Sequence, residues 1–183
     1  MSRPAAASAQ AGGGAPVQAA ELEHYLHAHL PLSRAMGVSV VAVAAHCIEL
    51  RAPLGPNINH HETVFGGSAS ALAILAAWSL LHVRLRAAGI GARLVIQRNA
   101  MEYEQPITGE FHARSCLEHP EAWRRFTAML ARRGKARIRV SAVLEYQGRR
   151  VGALAGEFVA LRGAPGGDIG QRGTAVRASP ERA

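Results

Sequence analysis

Asn57-Ile58-Asn59-His60-His61-Glu62-Thr63-Val64-Phe65-Gly66-Gly67-Ser68 is a polar loop that leads directly into an uncharged apolar run, residues 69–81. The run is rich in Ala and Leu and contains no Pro, so we predict that it is helical. It is apolar on every side rather than along one stripe, which is typical of a helix buried in a protein core. The stretch therefore predicts a buried helix that begins at two glycines.

The start of such a helix is also a candidate binding site. The first N–H groups of a helix have no partner within it, and the helix dipole is positive at that end. Glycines at this point allow a ligand oxygen to approach those N–H groups closely. We therefore expect a carbonyl or an anion to bind at Gly66 and Gly67, assisted by the side chain of Asn59.

Composition limits the classes of protein that need to be considered. With 183 residues, 49% of them hydrophobic, the chain can bury one good core, which indicates one domain. A net charge of +8 fits an anionic partner such as nucleic acid, a membrane or a phosphorylated small molecule, and it equally fits an Arg-rich coding bias. Aromatic residues make up only 5%, and no strand has the aromatic and basic signature of RNA-binding domains, so nucleic acid is not an expected partner.

Cys47 and Cys116 form neither a disulfide framework nor a metal-binding spacing, so we predict two separate, buried structural cysteines. This favours a reducing compartment, and we predict a cytoplasmic location. No metal or cofactor is expected. Residues 63–81 are long enough to cross a bilayer, but their Ala, Gly and Ser content and the strand-like segments after them favour a core helix over a membrane partner.

The order of elements predicts the fold class. We expect disordered ends (1–19 and 163–183) around one domain (20–162). Within it, hydrophobic periodicity and turn residues predict helices and strands in a fixed order. They are a helix at 21–30, strands at 37–44 and 47–52, the buried helix at 66–88, strands at 93–103 and 110–117, a helix at 120–134, and strands at 136–146 and 151–161. An α+β fold, with an antiparallel sheet wrapped around the buried helix, suits this order better than a parallel sheet.

Two local patterns resemble the hotdog fold of thioesterases and dehydratases. Asn59 followed by Phe65-Gly66-Gly67 is similar to the Asn…His-Gly-Gly pattern of phenylacetyl-CoA-type hotdog thioesterases. Residues 103–110 resemble the aromatic-x-x-Pro-x-x-Gly turn that joins two hotdog strands. The whole stretch is most similar to thioesterase domains of the YiiD C-terminal type, and the likeness covers residues 21–162. It is carried by Asn57, Asn59, His60, Thr63, Phe65, Gly66, Gly67 and Ser68.

The resemblance implies hydrolysis of an acyl-CoA or acyl-carrier thioester by at least a homodimer, with the site between subunits. The helical Asp of the phenylacetyl-CoA type is replaced here by Ile74, so a general base must come from elsewhere. We predict catalytic roles for Asn59, His60 and Glu62. His60 is the first candidate for the base, and the alternatives are His61, Glu62, and Glu102 or Glu104. Ser68 is expected to cap the helix or orient water. The predicted substrate-binding residues are Asn57, His61, Phe65, Gly66, Gly67 and Ser68.

Two other functions stay open. The missing helical carboxylate favours a non-catalytic module that binds acyl-CoA or an acyl carrier. A hydratase or dehydratase using His60 and Glu62 is a weaker alternative, because that chemistry needs a His and an acid placed across the acyl chain. The arginines of the 120–134 helix either bind the phosphates of coenzyme A or form a solvated face.

Overall fold

The computed structural model describes residues 18–117 and 119–163, and their helices and strands follow the predicted order. The helices are α1 (Ala19–His29), α2 (Pro31–Ala35), α3 (Gly66–Ala87) and α4 (Pro120–Arg133). The strands are β1 (Ser39–Val43), β2 (Cys47–Ala52), β3 (Ala92–Tyr103), β4 (Phe111–Cys116), β5 (Lys135–Tyr146) and β6 (Arg149–Arg162). Apart from their innermost residues, the ends predicted to be disordered lie outside the described residues.

All six strands belong to one sheet in the order β1-β2-β4-β5-β6-β3, and every neighbouring pair is antiparallel. α3 packs across this sheet and contacts five of its strands. Alternate residues of β5, from Ala136 to Leu144, are buried towards the core, as the period of two in the sequence predicts. The predicted α+β fold with an antiparallel sheet around a long central helix is confirmed.

α3 has the composition of a membrane span and the surroundings of a core helix. Its length and a mean hydropathy of 1.4 meet the requirement for crossing a bilayer, but 56% of the window that meets it is buried inside the protein. Leu72, Ala76 and Leu80 are at most 1% exposed, and they belong to the same cluster as Phe111 and Phe158 of the sheet. The all-round apolar character of α3 is therefore explained by burial against protein.

The prediction of two separate cysteines is wrong, because Cys47 and Cys116 form a disulfide. They face each other directly where β2 pairs with β4, with 4.1 Å between their Cα atoms. The sequence alone did not reveal this pairing, since 69 positions separate the two residues. The predicted cytoplasmic location loses the support that free cysteines gave it and stays a prediction.

α2 is the one α-helix of the described residues that the sequence did not predict, and a short 3-10 helix at Gly55–Asn57 was also not predicted. The predicted helix at 21–30 ends before Pro31, as α1 does, and Pro31 is also the first residue of α2. Proline suits this position, because the N–H that it lacks would have no partner in the first turn of a helix. The 35–38 backbone then turns into β1 through Gly37, whose φ of +66° favours glycine.

Tyr25, His29, Trp78 and His82 form a stack that joins α1 to α3. The ring of His82 lies 4.7 Å from both the Tyr25 and the Trp78 rings. Its Nε2 is buried and has no hydrogen-bond partner among the described residues. Burial, with smaller contributions from Arg86 and His29, lowers the pKa of His82 from 6.5 to about 4. The stack therefore contains a neutral imidazole at neutral pH.

We expect acid to destabilise the protein through His82. Between pH about 6.5 and about 4 the unfolded chain binds a proton that the folded chain does not, so the free energy of unfolding falls as pH falls through this window. The loss is roughly 2–3 kcal/mol, since the ring is partly exposed. Urea denaturation at pH 7.5 and pH 4.5 measures it. His82→Phe should reduce the difference, His24→Phe on the exposed face of α1 should not, and equal differences in both variants would contradict this role.

Candidate active site at the start of the central helix

The loop before α3 is held together by its own backbone. Ile58 and Val64 form an antiparallel bridge, and the N–H of Asn59 donates to the carbonyl of Thr63 at 2.8 Å. The N–H of Phe65 donates to the carbonyl of Asn57 at 2.7 Å. These bonds close residues 57–65 into a compact hairpin-like loop that delivers the chain to Gly66.

The side chain of Asn59 is used inside this loop. Its Nδ2 donates to Thr63 Oγ1 at 3.0 Å, and its Oδ1 accepts from the N–H of His61 at 2.8 Å. Oδ1 also accepts from the N–H of Thr63 at 3.3 Å. Asn side chains commonly stabilise turns in this way. These bonds show that Asn59 shapes the loop. They do not support its predicted contact with water or substrate, which stays a prediction.

Asn57 lies deeper and is also engaged. It is only 2% exposed, and its Nδ2 donates to the carbonyls of Met36 at 2.8 Å and Pro53 at 2.7 Å. Both bonds fasten the loop to the segments that flank the β1–β2 hairpin. A buried side-chain amide that donates to two backbone carbonyls stabilises the folded protein. Asn57, predicted to bind substrate, is thus placed away from the surface that a substrate can reach in one subunit.

His60, His61 and Glu62 form the exposed tip of the loop. The two imidazole rings lie 3.8 Å apart, and Glu62 adopts a φ of +60° that tightens the turn. None of the three lines the cavity beside Gly66 at the helix start. The structure therefore brings the predicted bases together with each other and separates them from Gly66 within one subunit.

α3 begins without a capping side chain. Its N-cap is Phe65, and no side chain accepts a hydrogen bond there, so the predicted capping role of Ser68 is wrong. The first N–H groups of a helix, here those of Gly66 and the next two residues, have no acceptor within the helix. The Phe65 ring folds over Gly67, in the space that a Cβ would need. A Cβ at Gly66 would meet the Tyr103 ring at an ordinary contact distance of 3.5 Å, and Gly66 is the glycine that lines the neighbouring cavity.

A cavity of about 310 Å³ opens beside Gly66. Its wall includes Val64 and Ala69 around the helix start and Tyr103 and Glu104 at the end of β3. The Tyr103 hydroxyl donates to the carbonyl of Gly66 at 3.0 Å, which fixes the end of β3 against the first turn of α3. The cavity therefore places a helix start with free N–H groups beside a carboxylate.

Glu104 is oriented by Arg150. Both Nε and Nη2 of Arg150 bind the same oxygen, Oε1 of Glu104, at 2.8 and 2.7 Å. The N–H of Glu104 donates to the carbonyl of Val151 at 2.9 Å, which fixes the backbone below the side chain. No described residue donates a hydrogen bond to the other carboxylate oxygen, Oε2, which is available to a ligand or water. An oxygen held in this way can take a proton from a bound water.

From the sequence, Glu104 was predicted only as an alternative base, and no role in the site was predicted for Arg150 or Tyr103. Glu104 comes before Gln105-Pro106 at the end of a strand, which is a signal that the chain turns there. Nothing in the sequence places that turn beside residue 66. Ile74, at the position of the missing helical carboxylate, is partly buried against the core, so no acid from α3 itself reaches the site.

Comparison with known proteins gives this geometry a context. Residues 19–162 match a family described as "Putative thioesterase (yiiD_Cterm)". A protein of unknown function from Chlorobaculum tepidum TLS is similar in structure, with a TM-score of 0.76 and 26% identity over 82% of this chain and 100% of that chain. A "putative thioesterase" from Shewanella oneidensis has a TM-score of 0.70 and 22% identity, covering 78% of this chain and 96% of that chain.

A further structure, a "probable thioesterase" from Pseudomonas aeruginosa, has a TM-score of 0.66 and 17% identity, and it covers 82% of this chain and 100% of that chain. At this identity the likeness concerns the fold alone. The six-stranded antiparallel sheet around α3 is the hotdog fold, and the predicted resemblance is confirmed. The family match indicates acyl thioester hydrolysis without indicating a particular substrate.

Proposed function

The chain belongs to the "Putative thioesterase (yiiD_Cterm)" family, and from this premise we propose that it hydrolyses an acyl-CoA or a related acyl thioester at the start of α3. One observation carries the proposal: Gly66, at an uncapped helix start, and Glu104 line the same cavity. Thioester hydrolysis needs a donor for the developing oxyanion and a base for the attacking water. This cavity offers one of each.

The thioester carbonyl oxygen accepts a hydrogen bond from the N–H of Gly66. Glu104 removes a proton from a water molecule, whose oxygen attacks the carbonyl carbon. The negative charge that develops on the carbonyl oxygen is stabilised by the Gly66 N–H and by the positive end of the α3 dipole. When the intermediate collapses, the C–S bond breaks, and the thiol leaves with the proton returned by Glu104. The products are a carboxylic acid and a free thiol, and water is the only co-reactant.

A steady-state assay tests this function directly. The full chain is incubated with acyl-CoA esters from acetyl to palmitoyl, and release of free thiol is followed. We expect turnover with at least one chain length. If no ester in the panel is hydrolysed while acyl-CoA binds tightly by calorimetry, the protein is instead a non-catalytic acyl-CoA binding module, the alternative that Ile74 in place of a helical carboxylate favours.

We further propose that the protein is a homodimer joined along β3. This strand pairs with β6 on one side, and within residues 18–117 and 119–163 its other edge has no partner strand. The central residues of β3, from Gln97 to Ala100, are exposed. A long exposed edge of this kind is a template for pairing with a second chain. Pairing there would bring the partner close to Tyr103 and Glu104. Light scattering should give twice the chain mass of 19.4 kDa, and an active monomer would contradict the proposal.

A further inference from the structure

A groove of about 740 Å³ lies between α4 and the first residues of β5. Five basic residues line it: Arg125, Arg133, Lys135, Arg137 and Arg139. No acidic residue of the described chain is part of its wall. A concave surface with charges of one sign concentrates ligands of the opposite sign. The groove is thus a separate feature from the cavity at Gly66.

Most of this charge is not neutralised by ion pairs. Glu157 is the one described carboxylate within 4.0 Å of these basic groups, and it lies 3.9 Å from Arg137 and 3.8 Å from Arg139. Arg125, Arg133 and Lys135 form no ion pair with a described residue. Arginine guanidinium groups have the planar fork that matches phosphate oxygens in pairs. The charge of the groove therefore suits a ligand with several phosphates.

The floor of the groove is apolar. Phe126 and Ile138, 2% and 5% exposed, close its base, and Met129 is partly buried beside them. A floor of this kind, with arginines around it, suits a flat heteroaromatic base that also carries phosphates. An extended nucleic acid would instead need a long basic surface with aromatic residues for stacking, and aromatic residues are 5% of the chain.

β5 connects this groove with the candidate active site. Leu144 lines the cavity at the start of α3 and Ile138 lines the groove, and both lie on the core-facing side of β5. Six residues of a strand cover about 20 Å. This is comparable to the length of the extended phosphopantetheine arm that separates the thioester of an acyl-CoA from its nucleotide.

We propose that the basic groove binds the 3′-phosphorylated ADP end of coenzyme A, which makes coenzyme A rather than a carrier protein the carrier of the acyl group. The role of the groove in catalysis rests on the proposed function. The binding test does not, because it needs no hydrolysis. The phosphates contact Arg125, Arg133 and Lys135, and the adenine lies on the apolar floor.

α4 provides a matched pair of variants for the test. The double variant Arg125→Ala/Arg133→Ala removes two charges from the groove, and Arg124→Ala/Arg132→Ala removes two from exposed positions of the same helix that do not line it. Calorimetry on the full chain uses adenosine 3′,5′-bisphosphate and coenzyme A as probes. We expect the groove variant to bind both at least about tenfold more weakly, and the control to bind as the wild type does. Equal loss in both variants, or no binding of the bisphosphate to wild type, overturns the proposal.

Kinetics separate this proposal from the proposed function. Acyl-pantetheine has the thioester and lacks the nucleotide, so it tests hydrolysis alone. We expect wild type to have a KM for acyl-CoA at least about tenfold below that for acyl-pantetheine, and the groove variant to lose this preference. Hydrolysis of both esters with equal KM contradicts the groove and leaves the hydrolase standing. Bisphosphate binding without hydrolysis of any ester would support the groove proposal and contradict the proposed hydrolase function. Preference for an acyl-carrier protein over acyl-CoA would contradict the groove proposal.

Discussion

Gly66→Pro is expected to lower kcat for thioester hydrolysis by about 10²–10³, the usual cost of removing one oxyanion donor. Proline lacks the N–H that we assign to the oxyanion, and it is tolerated at the first position of a helix. The residue before it must be extended, and Phe65 already is, with φ −61° and ψ 131°. The backbone can therefore accept this proline, and the substitution tests one hydrogen-bond donor.

Gly66→Ala is the control for the added side chain. A Cβ at this position would lie 3.5 Å from the Tyr103 ring, an ordinary contact, and the N–H is retained. We expect Gly66→Ala to keep most of the activity, and both variants to unfold at a temperature close to that of the wild type. Wild-type kcat in Gly66→Pro would remove Gly66 from the mechanism. Equal losses in both variants would mean that crowding near Tyr103, and not the N–H, is responsible.

The sequence predicted the fold well because its signals are local. Composition and the glycines at both ends were enough to predict α3, which begins at Gly66 and ends before Gly89, a residue with a φ of +65°. The alternation of β5 predicted one buried and one exposed face, which the structure confirms. A period of 2 or 3.6 residues can be recognised from consecutive residues, without knowing which other segments pack against them.

Contacts between distant parts of the chain could not be predicted in this way. The Cys47–Cys116 disulfide depends on β2 being the neighbour of β4, and the Arg150–Glu104 contact joins residues 46 positions apart.

The loop of residues 57–65 shows a second difficulty. Its Asn residues have the types expected of a polar binding site, and the same amide groups also stabilise turns. Only the hydrogen-bond partners of Asn57 and Asn59 distinguish the two roles.

The second large effect is expected at Glu104. Glu104→Gln keeps the shape of the side chain, and its amide oxygen can still accept from Arg150, but an amide cannot take a proton from water. Loss of a general base usually costs about 10²–10⁴ in rate, so we expect kcat to fall by that order while KM changes little. Steady-state assays with the best acyl-CoA of the panel measure both constants.

Glu102→Gln is the matched control. Glu102 is two residues away, its side chain is 77% exposed, and it also lies near Arg150, at 3.8 Å. It does not line the cavity beside Gly66, so we expect kcat close to that of the wild type. A smaller variant, Glu104→Ala, leaves room for an external carboxylate, and added formate should restore part of its activity if the lost group was a base. A purely structural role would give no such rescue. Wild-type kcat in Glu104→Gln would move the base to the exposed loop tip, where His60 of a second subunit is the residue to replace next.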